Sequence, residues 1–177
     1  MKHICLFGPP GSGKSTTAYG LANIMKKKNI NAEYCSEFAK ELVYGQDFMK
    51  LSNQLAILAK QAYPWFLFEQ QNLEYSINDG PFLLSNIYLR EDSHLPKEIF
   101  KQFVLEMYKS YDTINYFLEP DFSHYQEQGR YQSKEESDEL SRVIKQYLID
   151  NDIPFKTIKC GKNTELEILK DLGVYNE

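Results

Sequence analysis

The chain has 177 residues and a formal net charge of −5, with 42% hydrophobic and 25% charged residues, near globular averages. Its length is that of one compact domain of roughly 100–200 residues, which excludes a two-domain enzyme. The 13 Tyr, 11 Phe and one Trp supply enough core bulk to exclude global disorder. The acidic balance gives no general basic field for nucleic acid or anionic membranes, though it leaves room for a local basic patch.

Only three of the 20 cationic residues are arginines: Arg90, Arg130 and Arg142. Arginine is the preferred bidentate clamp for phosphate, so few places can hold one. Cys5, Cys35 and Cys160 lie far apart in or beside apolar runs and read as reduced core thiols rather than as a disulfide framework or metal cluster. The opening run 1–7 is too short for a signal peptide, and no apolar stretch approaches the roughly 20 residues of a membrane span. The expectation is a cytoplasmic domain over residues 1–177, with no sequence signal for an oligomeric state.

In chain order the pattern predicts a strand at His3–Phe7, a helix at Lys14–Lys28, a strand at Ala32–Cys35, and helices at Glu37–Tyr44 and Ser52–Gln71. A strand at Tyr75–Asn78, helices at Pro81–Glu91 and Pro96–Ser110, and a strand at Ile114–Leu118 follow. The last three are a helix at Lys134–Asp150, a strand at Phe155–Ile158 and a helix at Asn163–Leu172. Short apolar runs alternating with helical stretches mark βαβ units. The predicted class is therefore α/β, a three-layer α/β/α arrangement around a five-stranded parallel sheet. The polar stretch 119–139 reads either as a lid or as a surface loop. The aromatic run 63–68 reads as core, and His3 as strand packing.

Gly8-Pro9-Pro10-Gly11-Ser12-Gly13-Lys14-Ser15 fits the G-x-x-x-x-G-K-[ST] pattern, directly after a strand and directly before a helix. Gly8, Gly11 and Gly13 allow a loop whose backbone N–H groups, with that of Ser12, turn inward on phosphate oxygens at a helix N-terminus. Lys14 adds a charge for the outer phosphates, Ser15 offers a hydroxyl to Mg²⁺, and Thr16 can bond a further phosphate oxygen. The implied ligand is a nucleoside triphosphate. Neither an N-K-x-D nor a D-x-x-G element of a GTPase is present, and the length disfavours a motor ATPase.

Ligands in open parallel sheets bind beyond the carboxyl ends of the strands, where two acids lie. Asp79 is a candidate Mg²⁺ ligand, and competes with a plain Asp-Gly turn at Asp79-Gly80. Glu37 is a candidate for taking the proton of an acceptor hydroxyl, and competes with a helix start capped by Ser36. Glu41 is a weaker candidate on the same helix face. Arg130 would close from the lid over the transferring phosphoryl group. Arg142 is better explained by an ion pair with Asp138 or Glu139.

The P-loop, Ser36–Glu41, Asp79, and Leu118-Glu119-Pro120-Asp121 followed by Gly129-Arg130 together resemble the small P-loop kinases typified by the nicotinamide riboside kinase domain of NadR-type proteins, over most of the chain. Lys40 stands where such relatives often carry Arg, and Gln128 where they often carry Asp. The resemblance implies ATP- and Mg²⁺-dependent transfer to a nucleoside-like hydroxyl, with Glu37 and Asp79 near acceptor and metal and Arg130 in the lid. Gly8-Pro9-Pro10-Gly11 and Asp79-Gly80-Pro81-Phe82 also resemble adenylate-kinase-like nucleoside monophosphate kinases, but no Arg precedes Arg90 to clamp an acceptor phosphate. A kinase of a modified base in DNA and a non-catalytic ATP-dependent interaction module are the remaining alternatives.

Overall fold

The structure, a computed structural model, describes residues 1–120 and 134–175. Five strands form one sheet: β1 (Lys2–Phe7), β2 (Ala32–Cys35), β3 (Tyr75–Asp79), β4 (Thr113–Glu119) and β5 (Lys156–Lys159). Their order is β2-β3-β1-β4-β5, and every pairing is parallel. The strand limits match the sequence expectation to within one residue.

β1 is central because both of its faces are apolar. Successive side chains of a strand point to opposite faces. Cys5 and Phe7 join Trp65, Phe82, Tyr108 and Phe117 in one core, while Ile4 and Leu6 join Leu21, Met25, Tyr116 and Leu118 in a second. Helices α1 (Lys14–Lys27) and α8 (Thr164–Asp171) cover the second core; α4 (Gln54–Glu69), α6 (Lys97–Lys109) and α7 (Lys134–Asp150) cover the first. Strands buried on both faces read as near-continuous apolar runs, which is why β1 was legible. Among the described residues no helix is long and apolar enough to cross a membrane.

Two expectations are corrected and one element is added. The added element is the single turn α3 (Phe48–Leu51), capped by Asp47, between α2 (Phe38–Tyr44) and the helix expected at Ser52–Gln71. Helix α4 then starts at Gln54, where Asn53 accepts from the Ala56 N–H at 3.2 Å. Pro81–Glu91 is not one helix but a 3₁₀ turn at Phe82–Leu84 and one α-turn, α5 (Ser85–Tyr88), with Leu89 extended. Phe82, Leu83 and Leu84 are all buried. The segment is wedged against α4 and α6 rather than laying a single helical stripe on the core. The aromatic run supplies buried Trp65 and partly buried Phe68, while Tyr63 and Phe66 turn outward with the period of α4.

His3 packs inside β1, as expected. Its ring stacks on Trp65 at 4.0 Å, Nδ1 lies 2.7 Å from the Ser76 hydroxyl, and Nε2 lies 3.1 Å from the Glu69 carboxylate. Burial holds its pKa below 6.5, against the opposing pull of Glu69. The unfolded chain takes up a proton at His3 where the folded chain resists it. Stability therefore falls as pH drops through about 6.5, by at most about 1.4 kcal/mol per pH unit for one proton. Urea midpoints between pH 7.5 and 5.5 should show this slope in the wild type and a flatter one in His3→Gln; an unchanged slope in the variant rules His3 out as its source.

Candidate active site

β1 delivers the chain to Gly8, and α1 begins six residues later at Lys14. Gly8, Gly11 and Gly13 hold φ of +143°, +84° and +82°. A Cβ at Gly8 would lie 2.7 Å from the Leu118 carbonyl oxygen, and one at Gly13 would lie 2.4 Å from Cys160 Sγ. Conformation and space both demand glycine at these two positions. The first turn of α1 carries no acidic residue, so its unpaired N–H groups and the positive end of its dipole remain for an anion. The Ser12 hydroxyl is buried without a partner.

Lys14 is folded over the loop, its ammonium donating to the carbonyls of Gly8 at 2.9 Å and Pro9 at 3.0 Å. Ser15 accepts a hydrogen bond from Lys40 Nζ at 2.8 Å. Thr16 is exposed on the same cleft wall.

Asp79 ends β3 opposite Leu6 of β1, so the strand register alone brings it beside the loop. It is 1% exposed; Oδ2 accepts a long 3.5 Å hydrogen bond from the Tyr34 hydroxyl, and Oδ1 has no partner. Gly80 follows with φ +77°. The Asp-Gly turn and the buried carboxylate are thus both present, and neither reading displaces the other.

The Ser36 cap that competed with a functional Glu37 does not form. Glu37 itself takes the N-cap position of α2, with extended backbone angles and no capping bond from its side chain. That side chain lines the cleft instead, packed where Gly80 lacks a Cβ, whose place would be 3.0 Å from Glu37 Cγ and Cδ. Desolvation by the cleft walls pushes the Glu37 pKa up; Lys14 and Lys40 pull it down, and the charge of Asp79 adds to the rise. Glu41 stays exposed.

Arg130 lies outside the described residues, as does most of the stretch 119–139. Its ends are the last residue of β4 and the first turns of α7, where the Ser137 hydroxyl donates to the Pro10 carbonyl at 3.3 Å. Arg142 pairs with Glu139 at 3.0 Å, as expected. Arg90 reaches the cleft rim but is held bidentate by Asp92, at 2.8 and 2.7 Å. Cys5, Cys35 and Cys160 are free, with Cys160 only half-buried against the phosphate loop.

The cleft between loop and α2 has a volume of about 770 Å³. Beyond Glu37 its walls are mostly apolar, with Val43, Ile57 and Leu84, and two buried amides, Gln54 and Gln61, the latter donating to the Gly80 carbonyl at 2.9 Å. Sequence reasoning missed Lys40 at Ser15 and both glutamines. The i,i+3 spacing of Glu37 and Lys40, and two polar residues seven apart on an apolar helix, were the available signals.

The residues fit Mg²⁺ through hard oxygens: the Ser15 hydroxyl and the orphaned Asp79 carboxylate oxygen. Among the described residues no three His, Cys, Asp or Glu side chains form a cage.

A family model described as an AAA domain (AAA_28) matches residues 3–165. No curated protein sequence matches. Among solved structures, thymidylate kinase from Ehrlichia chaffeensis aligns with TM-score 0.66 and 18% identity, over 97% of this chain and 98% of its own. Deoxyadenosine kinase from M. mycoides with bound dATP aligns with TM-score 0.59 and 20% identity, over 98% and 100%. At these identities the likeness establishes the fold, an α/β P-loop kinase fold.

Proposed function

The chain belongs to the AAA_28 family of AAA domains, and from that premise we propose that it is an ATP- and Mg²⁺-dependent kinase that phosphorylates a hydroxyl of a nucleoside-like acceptor. The observation that carries this reading is the placement of Glu37. A desolvated carboxylate faces a cleft whose one end is an anion cradle and whose other end is apolar.

The backbone of Gly8–Ser15 and the Lys14 ammonium hold the triphosphate, and α1 directs its positive end at the same anion. The Ser15 hydroxyl and Asp79 would hold Mg²⁺, which would supply charge neutralisation to the phosphate chain. Glu37 accepts the proton of the acceptor hydroxyl and orients its oxygen toward the transferring phosphoryl group. The apolar walls and the amides of Gln54 and Gln61 suit a flat, uncharged ring with polar edges, such as a nucleobase or nicotinamide. Arg130, outside the described residues, is the candidate for the remaining charge stabilisation.

An acceptor that already carries a phosphate would need a bidentate clamp. Of the arginines among the described residues, Arg90 is committed to Asp92 and Arg142 to Glu139. This supports a nucleoside or ribosyl nicotinamide over a nucleoside monophosphate. A coupled ATP-consumption assay over nucleosides, nicotinamide riboside and nucleoside monophosphates, with products identified by mass, tests it. Turnover is expected with an unphosphorylated acceptor; no acceptor raising ATP consumption above the solvent reaction would overturn the kinase reading.

A further inference from the structure

The Lys40 ammonium donates to Ser15 Oγ, the hydroxyl that the loop pattern assigns to a metal. It does so although Glu37, a carboxylate, lies one turn back on the same helix face, with the Lys40 N–H bonded to the Glu37 carbonyl at 3.2 Å. Lys14, the other ammonium of the cradle, is satisfied by two loop carbonyls. The cradle thus carries two cations and one unpartnered buried hydroxyl at Ser12, and one of its cations sits on the oxygen that the loop pattern assigns to a metal.

We propose that Lys40 is a tethered cation that serves in the metal's place: from its seat beside Ser15 the ammonium binds the terminal phosphates of a nucleoside polyphosphate when no divalent cation does. This rests on reading the loop as a nucleotide site, and it adds a phosphate-binding residue from outside the loop. Two physical points support it. A lysine ammonium is a compact charge with three rotatable donors on a flexible four-carbon stem, suited to changing partners, whereas a guanidinium fork is built for one planar partner. Helix α2 starts at the cleft, so the stem reaches the loop without moving the helix.

The consequence is nucleotide binding that tolerates absence of metal. Direct titration of ATP, and of inorganic tripolyphosphate as the polyphosphate alone, in EDTA and in saturating Mg²⁺ tests this without any turnover. Lys40→Met is expected to weaken binding of both probes about tenfold or more in EDTA, but threefold or less in Mg²⁺, so the ratio of the two affinities rises; Lys40→Arg should restore most of the EDTA affinity. Equal losses in the two media, or no loss in EDTA, overturn the proposal while leaving the nucleotide site standing. Wild type that binds neither probe in either medium overturns the nucleotide site and the proposal together. Should Lys40→Met melt below the wild type, Lys40→Gln carries the same comparison, since only the charge is at issue.

Discussion

Glu37→Gln will lower kcat by about 10²–10⁴-fold, the usual contribution of a positioned general base, while ATP affinity stays within about twofold. The substitution keeps the shape packed against Gly80 and removes only the charge. The side chain makes no capping bond in α2, so the helix loses nothing that Gln cannot replace. Because burial raises the Glu37 pKa above 4.5, the wild-type kcat/KM should fall on the acid side at a pH above the ordinary carboxylate range. The sign follows from the role: a base works deprotonated, and a raised pKa brings protonation closer to neutrality as pH is lowered. Glu37→Asp, which withdraws the carboxylate by one methylene, should lose about 10–100-fold and keep the acid limb. Full activity in Glu37→Gln, or a wild-type acid limb at 4.5 or below, would remove Glu37 from the proton transfer.

What was legible in the chain was what backbone geometry dictates. Gly8, Gly11 and Gly13 announce left-handed turns, and the loop that needs them follows a strand whose near-continuous apolar run fixes its place in the sheet. Asp79 was legible for the same reason: parallel register carries the end of β3 to the end of β1. Glu37 was visible as a candidate but not separable from a capping role, since Ser-Glu at a helix start satisfies both patterns; only the direction of the side chain decides, and that depends on Gly80, 43 positions on. The hydrogen bond between Lys40 and Ser15 spans 25 positions, and that between Ser137 and Pro10 spans 127. Neither has a periodic signature, because each depends on how a helix is seated rather than on how it is made. The segment after Asp79 misled for a further reason: an apolar run buried all round has no face, so its period cannot tell a helix from tight turns.

Asp79→Asn will stabilise the nucleotide-free protein and disable it. In the wild type the Asp79 carboxylate is almost wholly buried, one oxygen has no hydrogen-bond partner, and the other accepts a single long bond from Tyr34. A buried polar atom left unsatisfied costs about 1–3 kcal/mol, and more when it carries charge. Such a cost persists in a fold when a ligand removes it in the working state. Neutralising the carboxylate lifts it without disturbing the turn, because the φ of +77° belongs to Gly80 and Asn is at home before such a turn. The thermal midpoint of the variant should rise by about 3–8 °C for a chain of this size. Turnover should fall about 100-fold or more, and the Mg²⁺ concentration needed for half-maximal activity should increase, since an amide oxygen is a poorer partner for a dication than a carboxylate. The two effects have opposite signs and are measured on one preparation, by calorimetry and by Mg²⁺ titration of the kinase assay. A residue that merely shaped the Asp-Gly turn would give neither, and a variant that melted lower while retaining turnover would place Asp79 in the scaffold rather than at the metal.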